Sequence, residues 1–371
     1  MIVAGRVVTP DGVLRGSLHL VGERIASVVP GDVDSDHWLL PGFVDLHTHG
    51  GGGHDLSTGD AAAARAAAAY HLRHGTTTMV ASLVSAPPAA LRAAVAAYAP
   101  LVADGTLAGV HLEGPYLSPV RCGAHRVDCL RDPSPAELSD LLAAGAGAVR
   151  MVTLAPERDG ALDAIALLTA HRVVAAVGHT DATYEQTAAA VAAGATVATH
   201  LFNAMRPVRH RDPGPVPALL TAPSVVCELI ADGVHLHDAV LRLAATAAGP
   251  DRVALVTDAV VAAGAPDGEY ELGLRTVVVS GGVARLARPG AGGGPGPLAG
   301  STSTMDAALR RAVAAGVPLV DAARMVATTP ARAIGLGDRV GALLPGLRAD
   351  LVELDTDLRV RRVMRAGTWV A

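Results

Sequence analysis

The 371-residue chain contains no lysine, so all 30 of its Lys and Arg positions are arginine. That absence limits which groups can hold a metal, as argued below. Aromatic residues supply only 2% of the chain against 50% hydrophobic residues overall, so the core must be built from Ala, Val and Leu. Charge is also scarce, at 18%, and the net value of −5 gives no reason to expect nucleic acid or an anionic membrane as a partner. Three cysteines, Cys122, Cys129 and Cys227, are an odd number that does not suit a disulfide scaffold and fits a reducing compartment. The chain has no uninterrupted apolar run of membrane length, and its start lacks the basic, apolar, small-residue order of a secretory signal. A soluble cytoplasmic protein is expected.

The most informative stretch is P-G-F-V-D-L-H-T-H-G, residues 41–50. A short apolar run ends in two histidines spaced i, i+2, so on a strand both imidazoles leave one face, with Asp45 on the same side. That is a chelating geometry; the plainer reading is two core or surface histidines before a glycine loop. Seven further apolar, β-branched runs follow, so that the eight lie near 43–47, 76–82, 107–113, 149–155, 173–179, 196–202, 225–231 and 253–258, each succeeded by an Ala/Leu-rich helical segment. Eight alternations predict an α/β fold, a TIM-like (β/α)8 barrel, with catalytic groups at the C-terminal strand ends. His47, His49, Glu113, Glu157, His179, His200, Asp232 and Asp258 fall there. For Glu157 and Asp232 a capping role is the plainer expectation.

Both chain ends read as short alternating strands too poor in apolar residues to fold alone. Residues 1–40 and 338–371 are therefore expected to pair into one small β-sandwich domain, beside a catalytic barrel over 41–337. A Gly- and Val-rich insertion, 265–297, is expected as a hairpin joined to that β domain, and its G-A-G-G-G-P-G-P run (290–297) as low-complexity and mobile.

An H-x-H pair, later strand-end histidines and a final aspartate resemble the amidohydrolase superfamily. The runs H-L-E-G-P-Y-L-S-P (111–119), G-A-H (123–125), G-H-T-D-A-T-Y (178–184), T-H-L-F-N-A-M-R-P (199–207), E-L-I-A-D-G-V-H (228–235) and L-A-G-S-T-S-T-M-D (298–306) resemble, in order, the N-acetylglucosamine-6-phosphate deacetylase family. Many superfamily members bridge two metals with a carbamylated lysine, which a lysine-free chain cannot supply. A carboxylate must stand there, and Glu113 is the candidate. With His179 and His200 it makes an O/N/N set suited to Zn²⁺ or Fe²⁺. His47 and His49 are candidates for a second ion sharing Glu113, which gives one or two ions per subunit.

Asp258, at the last strand end, is the candidate general acid–base. The resemblance implies that His125 holds the developing oxyanion, that Arg211 and His235 grip a sugar phosphate, and that Ala124, Asn203, Ala204, Leu298, Ala299 and Gly300 contact the sugar. It also implies a homodimer in which one of Arg206, Arg209 and His210 reaches the neighbouring subunit's site; the plainer reading of the 206–211 run is a solvated basic turn. The expected function is metal-dependent removal of the acetyl group from N-acetylglucosamine 6-phosphate. The alternatives are a related deacetylase, such as one for the galacto epimer, and a metal-holding barrel without turnover.

Overall fold

The computed structural model describes residues 1–287 and 296–371, so most of the run at 290–297 lies outside the described residues. Eight parallel strands, Phe43–Thr48, Thr76–Leu83, Gly109–Glu113, Val149–Leu154, Val174–Val177, Val197–Ala198, Val226–Ile230 and Val253–Val256, pair in chain order. The last meets the first just beyond the regular ladder: Asp258 N–H donates to His47 C=O and His49 N–H to Ala259 C=O, both at 2.8 Å. The barrel thus closes at its C-terminal mouth, where His47 and Asp258 become neighbours.

Helices pack outside the strands, beginning with Ala61–Arg73, whose alanine-rich run is capped by the Asp60 carboxylate accepting from Ala62 and Ala63 N–H. Outward side chains such as Val110, Leu112, Leu229 and Leu255 join the helix layer in one core. Inward ones such as Val80, Met151, Ala176 and Val256 form a second core, covered by Ala331, Ile334, Leu336 and Val340. Strict alternation predicts Asp45 beside His47 and His49. Instead the pairing with the second strand shifts register between Asp45 and Thr48. Val44 and Leu46 join the inner core, while the Asp45 carboxylate accepts from Thr48 Oγ1 (2.6 Å) and Thr257 Oγ1 (2.5 Å). Asp45 therefore clasps strand one to strand eight rather than facing the histidines.

The termini form one seven-stranded sheet: Ile2–Thr9, Gly12–Val21, Arg24–Pro30 and Trp38–Pro41 with Leu351–Leu354, Val360–Arg365 and Thr368–Trp369. Residues 346–349 hydrogen-bond back to Glu23 and Ile25, curling the sheet around Val7, Leu18, Ile25, Leu39, Leu351 and Met364. The insertion departs from expectation. It is a separate three-stranded antiparallel sheet, Gly268–Leu272, Arg275–Ser280 and Val283–Leu286. Its apolar face, Val277, Val279, Ala284 and Leu286, buries against Val260, Ala262 and Ala299. Those residues lie at the barrel mouth, so burial draws the insertion to the site rather than to the terminal sheet. Among the described residues, no helix is long and apolar enough to cross a membrane.

Candidate active site

Glu113 is the last residue of the third strand, and His179, His200 and Asp258 each sit two residues beyond a strand. At these three positions φ is +48°, +29° and +48°, a left-handed turn that non-glycine residues rarely adopt. Each such residue costs on the order of 1–3 kcal/mol, and strain of this kind collects at functional sites. Gly300 has φ +65° and lies so close that a Cβ would stand 2.8 Å from the Asp258 carbonyl oxygen. Only glycine lets segment 298–301 run alongside Asp258, where Ser301 N–H donates to that carbonyl at 2.8 Å.

Two buried triads share this mouth: Glu113 with His179 and His200, and His47 with His49 and Asp258. Glu113 Oε1 stands 3.0 Å from His179 Nε2 and 2.9 Å from His200 Nε2, while Oε2 stands 3.1 Å from His49 Nε2. Asp258 Oδ1 is 3.3 Å from His49 Nε2 and 3.5 Å from His47 Nε2. The outer ring nitrogens decide what these contacts mean. His179 Nδ1 faces the Arg121 carbonyl at 2.9 Å, His49 Nδ1 the Ser82 carbonyl at 3.2 Å, and His47 Nδ1 the Glu228 carboxylate at 3.1 Å. All three partners only accept, so each Nδ1 must carry the proton and each neutral ring turns an Nε2 lone pair toward carboxylate oxygens. His47 Nε2 even lies 3.0 Å from His49 Nε2. Lone pairs converging on carboxylates repel unless cations stand among them. Among the described residues, no arginine pairs with Glu113, Glu228 or Asp258. The donor set therefore fits divalent metal, held by imidazole and carboxylate.

Protons are the other way to satisfy such a site, and the pKa values reflect that competition. Burial opposes charge on His49, but Asp258 and Glu113 outweigh it and hold the ring up at about 9. Burial would raise Asp258, yet His47 and His49 keep it well below the usual carboxylate range, so that it stands ionised.

His125 differs from the other rings. Its Nδ1 accepts from Ser85 N–H at 3.2 Å, so the Nε2 facing Glu113 Oε2, also at 3.2 Å, carries the proton. Burial lowers its pKa to about 4, which makes it a neutral donor at pH 7.

A cavity of about 350 Å³ opens over both triads. Its wall includes His49, Glu113, His125, His179, His200 and Asp258 together with Ala124, Asn203, Ala204, His235, Leu298 and Gly300. Ala299 is fully buried behind that wall in the insertion's core. Arg211 is exposed and does not line this cavity. Arg121 does, but it is bound to Asp181, with Nε to Oδ1 at 2.8 Å. Asp232, expected as a cap, does accept from Val234 and His235 N–H, and its other oxygen lies 2.7 Å from His235 Nδ1. Glu157 remains a loop brace, accepting from Thr180 Oγ1 and Asp181 N–H.

Sequence reasoning missed Glu228 and His111. His111 bridges Ser82 Oγ (2.9 Å) and Thr153 Oγ1 (2.7 Å) directly beneath Glu113. Both had a signal: a charged or imidazole group inside an otherwise apolar strand, at even spacing from the strand's polar end.

The amidohydrolase family model matches residues 38–370. An N-acetylgalactosamine-6-phosphate deacetylase of Escherichia coli O157:H7 is 38% identical over 374 residues, covering 98% of this chain and 97% of its own length. An N-acetylglucosamine-6-phosphate deacetylase of Vibrio furnissii is 38% identical over 94% of this chain and 85% of its own. The crystal structure of N-acetyl-D-glucosamine-6-phosphate deacetylase from Mycobacterium smegmatis is 48% identical, with a TM-score of 0.95 over 100% of both chains. An aspartate-to-alanine mutant of it, in complex with N-acetyl-D-glucosamine-6-phosphate, gives the same TM-score of 0.95. With a family match across the barrel and full-length relatives carried on the same fold, the chain belongs to the amidohydrolase family, in the branch that holds the N-acetylglucosamine-6-phosphate deacetylases.

Proposed function

We propose that this enzyme hydrolyses the acetamide of N-acetyl-D-glucosamine 6-phosphate to D-glucosamine 6-phosphate and acetate. The observation that carries the reading is the convergence, on one cavity, of two metal-suited triads sharing Glu113, an ionised Asp258 and a neutral donor His125. Glu113, His179 and His200 would hold one divalent ion and His47 and His49, with Asp258 beside them, a second, zinc or iron by their N/O chemistry. Bound metal supplies a Lewis acid and a water of lowered pKa. Asp258 takes the proton from the attacking water and delivers it to the departing amine. His125 donates its Nε2–H to the oxyanion as the carbonyl becomes tetrahedral. Ala124, Asn203, Ala204, Leu298 and Gly300 shape the sugar subsite, with Ala299 supporting it from behind. The barrel over 41–337 does this work, while the terminal segments 1–40 and 338–371 form the accessory β domain. A cytoplasmic setting accords with three free cysteines and a phosphorylated substrate.

A second reading, preference for the galacto epimer, is favoured by the full-length match to the E. coli N-acetylgalactosamine-6-phosphate deacetylase. Acetate release over a panel of N-acetylated sugars, with and without the 6-phosphate and in both epimers, tests both. Turnover of neither phosphorylated epimer would refute the proposal.

His235 binds the phosphate from within the subunit, and exposed Arg211 does so across a homodimer interface. His235→Ala and Arg211→Ala are each expected to cut kcat/KM for the phosphorylated sugar by tenfold or more, as when a charge-assisted bond worth about 1.5–3 kcal/mol is lost. The unphosphorylated sugar should change little. Equal losses on both would assign these residues to the fold, and an Arg211 effect in a monomeric enzyme would refute the dimer reading.

A pH dependence follows from the same pair. Burial opposes charge on His235, but the Asp232 carboxylate outweighs it and raises the pKa above the ordinary histidine value of about 6.5. A raised pKa means that the cationic interaction is complete below the ordinary value and fades as pH climbs through the raised one. KM for the phosphorylated sugar should stay flat through the ordinary histidine range and then rise. In Asp232→Asn the rise should begin at lower pH. An unmoved profile in that variant would exclude His235 as the titrating group.

A further inference from the structure

Glu228 is fully buried on the seventh strand, in the run V-C-E-L-I, and belongs to neither triad. We infer that it is the positioning residue on which loading of the His47 centre depends. The inference rests on the two-ion reading above.

Glu228 Oε2 stands 3.1 Å from His47 Nδ1 and accepts the backbone N–H of His200 at 3.2 Å, while Oε1 is buried with no partner. Among the described residues no arginine neutralises it, and His47 is its one ion-pair partner. A fully buried carboxylate is costly to keep unless it does something a neutral group would not. Here it sets a tautomer. A neutral imidazole with a free choice can place its proton on either nitrogen, and a proton on Nε2 would cap the lone pair that faces Glu113 and Asp258. The carboxylate holds the proton on Nδ1, keeps Nε2 open, fixes the ring against rotation and makes it a stronger donor.

The other ligand rings do not depend on a side chain in this way. His49 and His179 lean on the Ser82 and Arg121 carbonyls, which are backbone groups, and His200 Nδ1 has no partner. His47 is therefore the candidate ligand whose orientation a single remote side chain controls. At His200 Glu228 touches only the backbone N–H, so the Glu113/His179/His200 centre should feel its loss less.

The test is zinc binding to the metal-stripped full-length enzyme by calorimetry, with elemental analysis of the reloaded protein. Wild type is expected to take two equivalents per chain. Glu228→Ala should weaken the second by about 10- to 100-fold, the usual effect of removing a partner that orients a ligand, and leave the first within a few-fold. Glu228→Gln, whose amide oxygen still accepts from Nδ1–H but carries no charge, should recover part of that loss, whereas Glu228→Met, which fills the same space with no acceptor, should recover none of it, where a merely structural defect would be repaired by both. If the alanine variant fails to fold, Glu228→Met keeps the volume while removing the acceptor. Two equally tight sites in a folded Ala or Met variant, with His47→Ala losing one, would overturn the assignment alone. A single equivalent in wild type would overturn the two-ion reading and this inference with it.

Discussion

Glu113→Gln is expected to abolish acetate release and to strip most bound metal from a barrel that stays folded. Glu113 turns its oxygens to ring nitrogens of both triads, at 3.0 Å and 2.9 Å to His179 and His200 and 3.1 Å to His49. Glutamine keeps the size but replaces one oxygen with a donor, which would point N–H groups at a cation. It also removes a negative charge that nothing nearby replaces, since the chain has no lysine to carbamylate. Folding should survive, because the strand that carries Glu113 is held by Val110 and Leu112 in the outer core. Elemental analysis of the purified variant beside its circular dichroism spectrum checks both halves, and full metal occupancy would remove Glu113 from the ligand set. For the same reason, adding bicarbonate should not stimulate the wild type. A bicarbonate-dependent rate would contradict the carboxylate bridge.

Asp258→Asn is expected to lower kcat by about 100- to 10,000-fold, the contribution usual for a positioned general acid–base, with KM changed little. An amide cannot take up the water's proton and return it to the leaving amine. The variant should keep the Glu113/His179/His200 ion, which Asp258 does not touch. Steady-state rates together with substrate affinity measured under non-turnover conditions separate proton transfer from binding. Survival of kcat within a few-fold would exclude Asp258 from proton transfer. His125→Asn should also act on kcat but less severely, because one oxyanion donor is lost while proton transfer remains.

What the sequence determined by itself is the part that local covalent geometry decides. Strand alternation and apolar run length placed eight strands in order, and a polar residue closing such a run lies at a barrel mouth wherever the rest of the chain goes. That is why His47, His49, Glu113, His179, His200 and Asp258 were legible one by one. The tertiary structure decided what depends on partners far apart in the chain. Glu228 meets His47 across 181 residues, and Asp45 meets Thr257 across 212, contacts that exist only once the barrel has closed. The pairing of strands two and three gives His125 a backbone donor at Ser85, which settles the tautomer that the G-A-H motif leaves open. Closure also turned the insertion toward the mouth, where its apolar face found cover, and left Arg211 outside the cavity. Period and propensity act over a few residues, whereas tautomer, charge state and cavity shape are set by whichever groups the closed barrel brings within hydrogen-bonding distance.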